Sequence, residues 1–192
     1  MSQSPLPHSL DDRADRIATP SQTVGPFFHF GITTDQGLGS LAAAAVEHAD
    51  AEVQPFADGA GSPLPDSMIE IYQANAAGEY GTESFSGFGR LATDADGACL
   101  FETIRPGRAA GTDGRRQAAH VNVCLFARGL LRQLCTRVYF AGDPDLETDP
   151  VLALVPADRR STLLATPAEG ASGTWEWHLH LQGPAETVFF DL

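Results

Sequence analysis

The chain has 192 residues, of which 43% are hydrophobic: enough for one domain with a real core, and too many for a largely disordered chain. Twelve Lys and Arg against 25 Asp and Glu leave a formal charge of −13, which repels nucleic acid and anionic membrane surfaces and excludes both as expected partners. The three cysteines, Cys99, Cys124 and Cys135, have no C-x-x-C spacing and cannot all pair within one chain, which fits a reducing compartment. No basic start followed by an apolar run is visible and no stretch approaches 18 apolar residues, so the expected location is cytoplasmic.

Residues 1 to 18 are polar, carry Pro5 and Pro7, and read as an arm outside the core. The following TPSQTVGPFFHFGI, residues 19 to 32, is kinked by proline and glycine yet holds Phe27, Phe28 and Phe30. Such aromatics need cover, so this part of the arm is expected to dock on its own domain or on a partner. The expected division is an arm over 1–32 and a folded domain over 33–192. LAAAAVEH at 41 to 48 has helix-forming composition for only about two turns, marginal in isolation. ADGAGSPLPDS at 57 to 67 reads as a hairpin or loop.

Short strand-like runs come next, divided by turn residues: SMIEIYQAN, GFGRLATDADGACLFETIRPG, HVNVCLF, LLRQLCTRVYFAGDP and TWEWHLHLQGPAETVFFDL. Within them LATDADGACLFETI carries alternating runs on either side of Asp96-Gly97 and predicts a β-hairpin. Frequent short strands with few helical patterns predict a mainly β protein, an antiparallel β-sandwich with few short helices.

In AAHVNVCLFARG, residues 118 to 129, His120, Asn122, Cys124 and Phe126 alternate with Val121, Val123 and Leu125. A His-x-His pair on one strand face could grip a metal, but here the second place is Asn122. Half a metal site, an ordinary buried histidine and a lost site all remain open at this level. WEWHLHL has a true His-x-His at His178 and His180, opposite the apolar Trp175, Trp177, Leu179 and Leu181. With no further ligands identifiable, it reads as a solvated or interface face. GDPDLETDP, 142 to 150, lacks the spaced oxygen ligands of a calcium loop and reads as an acidic turn. Tyr80 alone reads as an aromatic closing a glycine-flanked loop, and Arg128 as a turn cap or ion-pair partner. No local Ser-His-Asp or Cys-His motif is present.

Taken in order, TPSQTVGPFF, IEIYQANAAGEYG, GFGRLATDADGACLFETIRPG, AAHVNVCLFARGLLRQLCTRVYF and GPAETVFFDL resemble the intradiol ring-cleaving dioxygenases. The resemblance covers about residues 17 to 192 and is closest to the α chains of the two-chain enzymes in that family. It implies a β-sandwich whose catalytic β subunit holds a non-haem Fe(III) through two tyrosines and two histidines, ligands that stabilise the ferric state. Tyr80 matches the first tyrosine and His120 the first histidine. Asn122 stands at the second histidine, and GRAAGTDGRRQAA, where the second tyrosine would fall, has none. The resemblance therefore implies that Tyr80, His120 and Asn122 are a relic. No metal and no catalytic residue are expected in this chain alone, with Fe(III) carried by the partner β subunit.

It further implies that Thr23, Gly25, Pro26 and Phe27 line the substrate pocket of the pair, Phe27 standing where related chains often carry Tyr. Arg128 is placed near that pocket, either attracting the carboxylate of a small aromatic acid or forming an interchain salt bridge. The implied partners are the β subunit, a carboxylated catechol and O2, in a higher-order αβ assembly. Two other function classes are open: a homo-oligomeric, transthyretin-like binding module without catalytic activity, and a lone enzyme whose metal is held by His178, His180, His120 and Tyr80.

Overall fold

In the computed structural model, which describes residues 19–25, 28–41, 49–57, 62–170 and 172–191, alternating apolar residues set the strand faces. Eight strands occur among the described residues: β1 Ala49–Ala57, β2 Met68–Gln73, β3 Phe88–Ala92, β4 Cys99–Thr103, β5 His120–Phe126, β6 Leu134–Phe140, β7 Leu164–Pro167 and β8 Trp175–His180. Their order is β3-β2-β5-β6-β7-β8-β1-β4. The β6–β7 contact is a short parallel seam, Tyr139 beside Leu164 and Phe140 beside Ala165, joining one half, β3-β2-β5-β6, to the other, β7-β8-β1-β4. β1 and β8 also run parallel, while the remaining ladders are antiparallel.

The two halves close over one core, as a sandwich requires. Ile69, Ile71, Val121, Val123, Leu125 and Val138 come from one half and meet Phe101, Ala165, Trp177 and Leu179 from the other, all buried. Each large side chain so buried contributes about 1.5–3 kcal/mol. Inside, Gln73 donates through Nε2 to Ile104 O at 2.8 Å and accepts from the Thr103 hydroxyl at 3.0 Å, tying the end of β2 to β4 in the opposite half. Trp177 Nε1 donates to Thr162 O at 2.9 Å.

The expected hairpin around Asp96-Gly97 is not a two-stranded ladder. The chain does reverse there, since the Asp94 side chain accepts from Asp96 N at 2.9 Å and Ala98 N at 2.8 Å, and Gly97 takes the positive φ of 75° the turn needs. Yet β3 pairs with β2 and β4 with β1, at opposite edges of the strand order. Asp-Gly chemistry fixes a local reversal; which edge each strand then joins is decided by long-range pairing. The result is a corner between the two halves.

The stretch of helix-forming composition at 41–48 falls almost wholly on residues outside those described, as do residues 58–61 of the expected hairpin or loop. Helical structure among the described residues is limited to short 3-10 turns, such as Phe28–Gly31, Gln36–Gly39 and Arg160–Leu163, none long and apolar enough to cross a membrane. In the arm, Phe28 is half-buried and Phe30 is 62% exposed.

Candidate functional site

Tyr80 owes its position to a short-range device in QANAAGEYG. The Asn75 side-chain oxygen accepts from Ala77 N at 2.9 Å and Glu79 N at 3.0 Å, and Asn75 O accepts from Gly78 N and Gly107 N. Gly78 has φ +85°, and a Cβ there would lie 1.9 Å from Arg108 O, so the loop presses directly onto IRPGR. IRPGR is pinned in turn by the acidic segment 142–150, through Arg105 to Asp143 at 3.0 Å and Arg108 to Asp145 at 3.1 Å.

The loop delivers the Tyr80 hydroxyl to the end of β5. It donates to His120 Nε2 at 3.0 Å and accepts from Asn122 Nδ2 at 3.1 Å. The other imidazole nitrogen, Nδ1, donates to Ala118 O at 2.8 Å, and Asn122 Nδ2 also reaches Tyr72 O at 3.1 Å. This chain of bonds assigns the tautomer: the proton sits on Nδ1, and Nε2 offers its lone pair to the phenol. His120 is 2% exposed. Burial pushes its pKa down to about 4, with the nearby Arg137 guanidinium adding to the effect, so it is neutral at physiological pH. Burial likewise raises the Tyr80 phenol, against the opposing Asn122 hydrogen bond and Arg137.

These residues do not fit a ferric ion. Tyr80 and His120 supply one phenol and one imidazole, two of the four ligands the resemblance implies, and Asn122 supplies an amide where an imidazole would be needed. Asn122 turns its N–H group, a donor, toward the centre. Among the described residues no group of three or more His, Cys, Asp and Glu is placed to hold a metal ion. His178 and His180 lie on β8, alternating with the core residues Trp177 and Leu179 and so facing away from the core, and no group of three histidines forms with His120 among the described residues. Instead His178 is exposed and His180 half-buried, beside an open cavity of about 280 Å³ also lined by Thr162 and Glu176.

The other sequence-derived set gathers at the far end of β5, on the order of 20 Å away at about 3.3 Å per strand residue. Arg128 is exposed in the turn between β5 and β6, and the next residue, Gly129, donates its N–H to the Thr23 hydroxyl at 2.6 Å. This bond spans 106 positions of sequence and fastens the arm beside Arg128. Arm residues Gln22 and Val24 share an open cavity of about 200 Å³ with Phe126, Leu130 and Leu131. Gly25 is exposed and its carbonyl accepts from Phe28 N; Pro26 and Phe27 lie outside the described residues.

Three residues that sequence inspection passes over support these sites. Arg137 stands opposite Asn122 in the β5–β6 ladder and reaches Gln117 at 3.0 Å. Asp149, read as part of an acidic turn, is buried and holds Ala118 N, two residues before His120, while Tyr139 packs on the His120 ring at 5.9 Å. A lone arginine in the apolar run LCTRVYF was the available signal for Arg137; nothing local distinguishes Asp149 from its acidic neighbours.

A family model described as a dioxygenase matches residues 53–183. The protocatechuate 3,4-dioxygenase alpha chain of Burkholderia cepacia is 40% identical over 195 residues, covering 91% of this chain and 97% of that protein. The protocatechuate 3,4-dioxygenase beta chain of the same organism is 34% identical over 145 residues, covering 66% of this chain and 61% of its own length. Among solved structures, the dioxygenase domain of a dioxygenase carbohydrate-binding protein fusion from Streptomyces sp. SirexAA-E superposes with a TM-score of 0.60 at 23% identity. That match covers 94% of this chain and 99% of the other and bears on the fold.

Proposed function

The chain belongs to the intradiol ring-cleaving dioxygenase family, and from that premise we propose that it is the α subunit, without a metal of its own, of a hetero-oligomeric protocatechuate 3,4-dioxygenase. Such an enzyme adds both atoms of O2 to protocatechuate, 3,4-dihydroxybenzoate, giving 3-carboxy-cis,cis-muconate. The family's members are iron enzymes. We assign the iron to the β subunit, and the observation that carries this assignment is the donor set at Tyr80, His120 and Asn122, where an amide N–H group faces the phenol in place of a third ligand. Family membership displaces the alternative of a transthyretin-like binding module.

The work left to this chain is shaping the pocket. In this proposal the arm, residues 1–32, reaches from the sandwich, 33–192, into a pocket shared with the partner, where Thr23, Gly25, Pro26 and Phe27 exclude water and restrict how the aromatic ring can lie. One feature supports it: the Thr23–Gly129 bond, which sets the arm beside Arg128. The Arg128 guanidinium attracts the substrate carboxylate. A cytoplasmic location suits the three free thiols.

Arg128→Ala in the co-assembled enzyme is expected to raise KM for protocatechuate by roughly 10- to 100-fold, the value of about 1.5–3 kcal/mol of charge-assisted hydrogen bonding. Catechol, which lacks the carboxylate, should change little. Equal losses for both substrates would make Arg128 a structural ion-pair partner instead. Deleting residues 1–27 should lower turnover while the complex keeps its iron; unaltered kinetics would remove the arm from the pocket.

A further inference from the structure

Cys124 and Cys135 face each other directly in the β5–β6 ladder, and their sulfurs lie 3.1 Å apart as free thiols. Directly opposed residues of an antiparallel pair have Cβ atoms about 4.5–5.5 Å apart, close to the separation a disulfide uses, and an S–S bond needs about 2.05 Å. Closing this pair therefore calls for a side-chain movement of about 1 Å and no change of register. Both thiols are half-buried, and Cys135 lines an open cavity of about 320 Å³ with Arg132, Gln133, Phe189 and Phe190. Cys99 is buried on β4, in the opposite half of the sandwich.

We propose that Cys124 and Cys135 form a redox-active dithiol that low-molecular-weight disulfides convert into an intrachain disulfide. Cys135, which opens on the cavity, loses its proton and attacks one sulfur of the external disulfide; one small thiolate leaves and takes up a proton. Cys124 then loses its proton and attacks the Cys135 sulfur, expelling the second small thiol. The chain gives up two electrons and two protons, and the external disulfide becomes two thiols. Burial, reinforced by the contact with Cys135, pushes the Cys124 thiol up to about 12, which leaves the first attack to Cys135; the second, intramolecular step is favoured by the target sulfur already lying in contact at 3.1 Å. The loop so closed contains Arg128 and Gly129, so oxidation staples the hairpin that holds the arm through Thr23.

The test is incubation of the native full-length chain, alone and co-assembled with its β subunit, with oxidised glutathione. Free thiols are then alkylated, followed by intact-mass measurement and tryptic mapping. One alkyl group per chain is expected where the reduced chain carries three, on a chain about 2 Da lighter, with peptide 117–128 linked to peptide 133–137, Cys99 alkylated, and full reversal by dithiothreitol. Cys124→Ser should instead trap glutathione on Cys135. A glutathione adduct that persists in the unsubstituted chain, linkage through Cys99 or between chains, or no reaction of the folded protein would each overturn the proposal.

Discussion

Asp149→Ala is expected to destabilise the fold by about 3–5 kcal/mol, the range for removing one member of a buried, charged network. Asp149 is 1% exposed. One carboxylate oxygen accepts from Ala118 N at 2.8 Å; the other accepts from the Tyr139 hydroxyl at 3.1 Å, Val151 N at 2.9 Å and Leu152 N at 2.6 Å. Truncation strands all of these donors away from water. It also frees the start of β5, and with it His120, from the segment that follows β6. Denaturant unfolding should show the loss directly, with a fall in Tm of about 10 °C for a chain of this size. Asp149→Asn should lose less, because one oxygen still accepts while the new NH2 cannot accept from Ala118 N. A loss under about 1 kcal/mol in Asp149→Ala would mean that the network is not holding β5.

Acid should weaken the fold through His120 by about 3 kcal/mol. Its pKa in the folded chain is pushed down from 6.5 to about 4. Below pH 6.5 the unfolded state takes up a proton that the folded state refuses until about pH 4, so the unfolded state binds more protons across that window. The stabilisation is therefore complete above pH 6.5, falls by at most about 1.4 kcal/mol per pH unit as pH drops, and is spent near pH 4. Carboxylates elsewhere also titrate in this range, so the discriminating quantity is the difference between the unsubstituted chain and His120→Gln. Unfolding free energies measured from pH 7 to pH 4 should converge as pH falls. Parallel curves would contradict a buried, neutral His120.

Strand positions are legible in the sequence where alternation is clean. HVNVCLF shows Val121, Val123 and Leu125 inward and Asn122, Cys124 and Phe126 outward, as its periodicity predicts. His120 departs from the pattern by being buried, because the Tyr80 loop and Tyr139 cover the face it points to. Partner choice is less legible: Asp96-Gly97 predicts a reversal correctly but cannot say that β3 and β4 end at opposite edges. Site residues divide in the same way. Tyr80, His120, Asn122, Thr23 and Arg128 come from a family pattern, whereas their bonding depends on register and on contacts spanning 40 to 106 residues. Asp149 and the Cys124–Cys135 pairing are invisible for this reason, since each acquires its meaning only from what the fold sets opposite it.

Elemental analysis for iron, on this chain expressed alone and co-expressed with its β subunit, tests most directly whether the Tyr80–His120–Asn122 network has replaced a metal site. The lone chain should be iron-free and inactive, and the complex should carry one iron per αβ pair and cleave protocatechuate. Stoichiometric iron in the lone chain, with turnover of a catechol, would contradict the assignment and show that Asn122 does not mark a lost ligand.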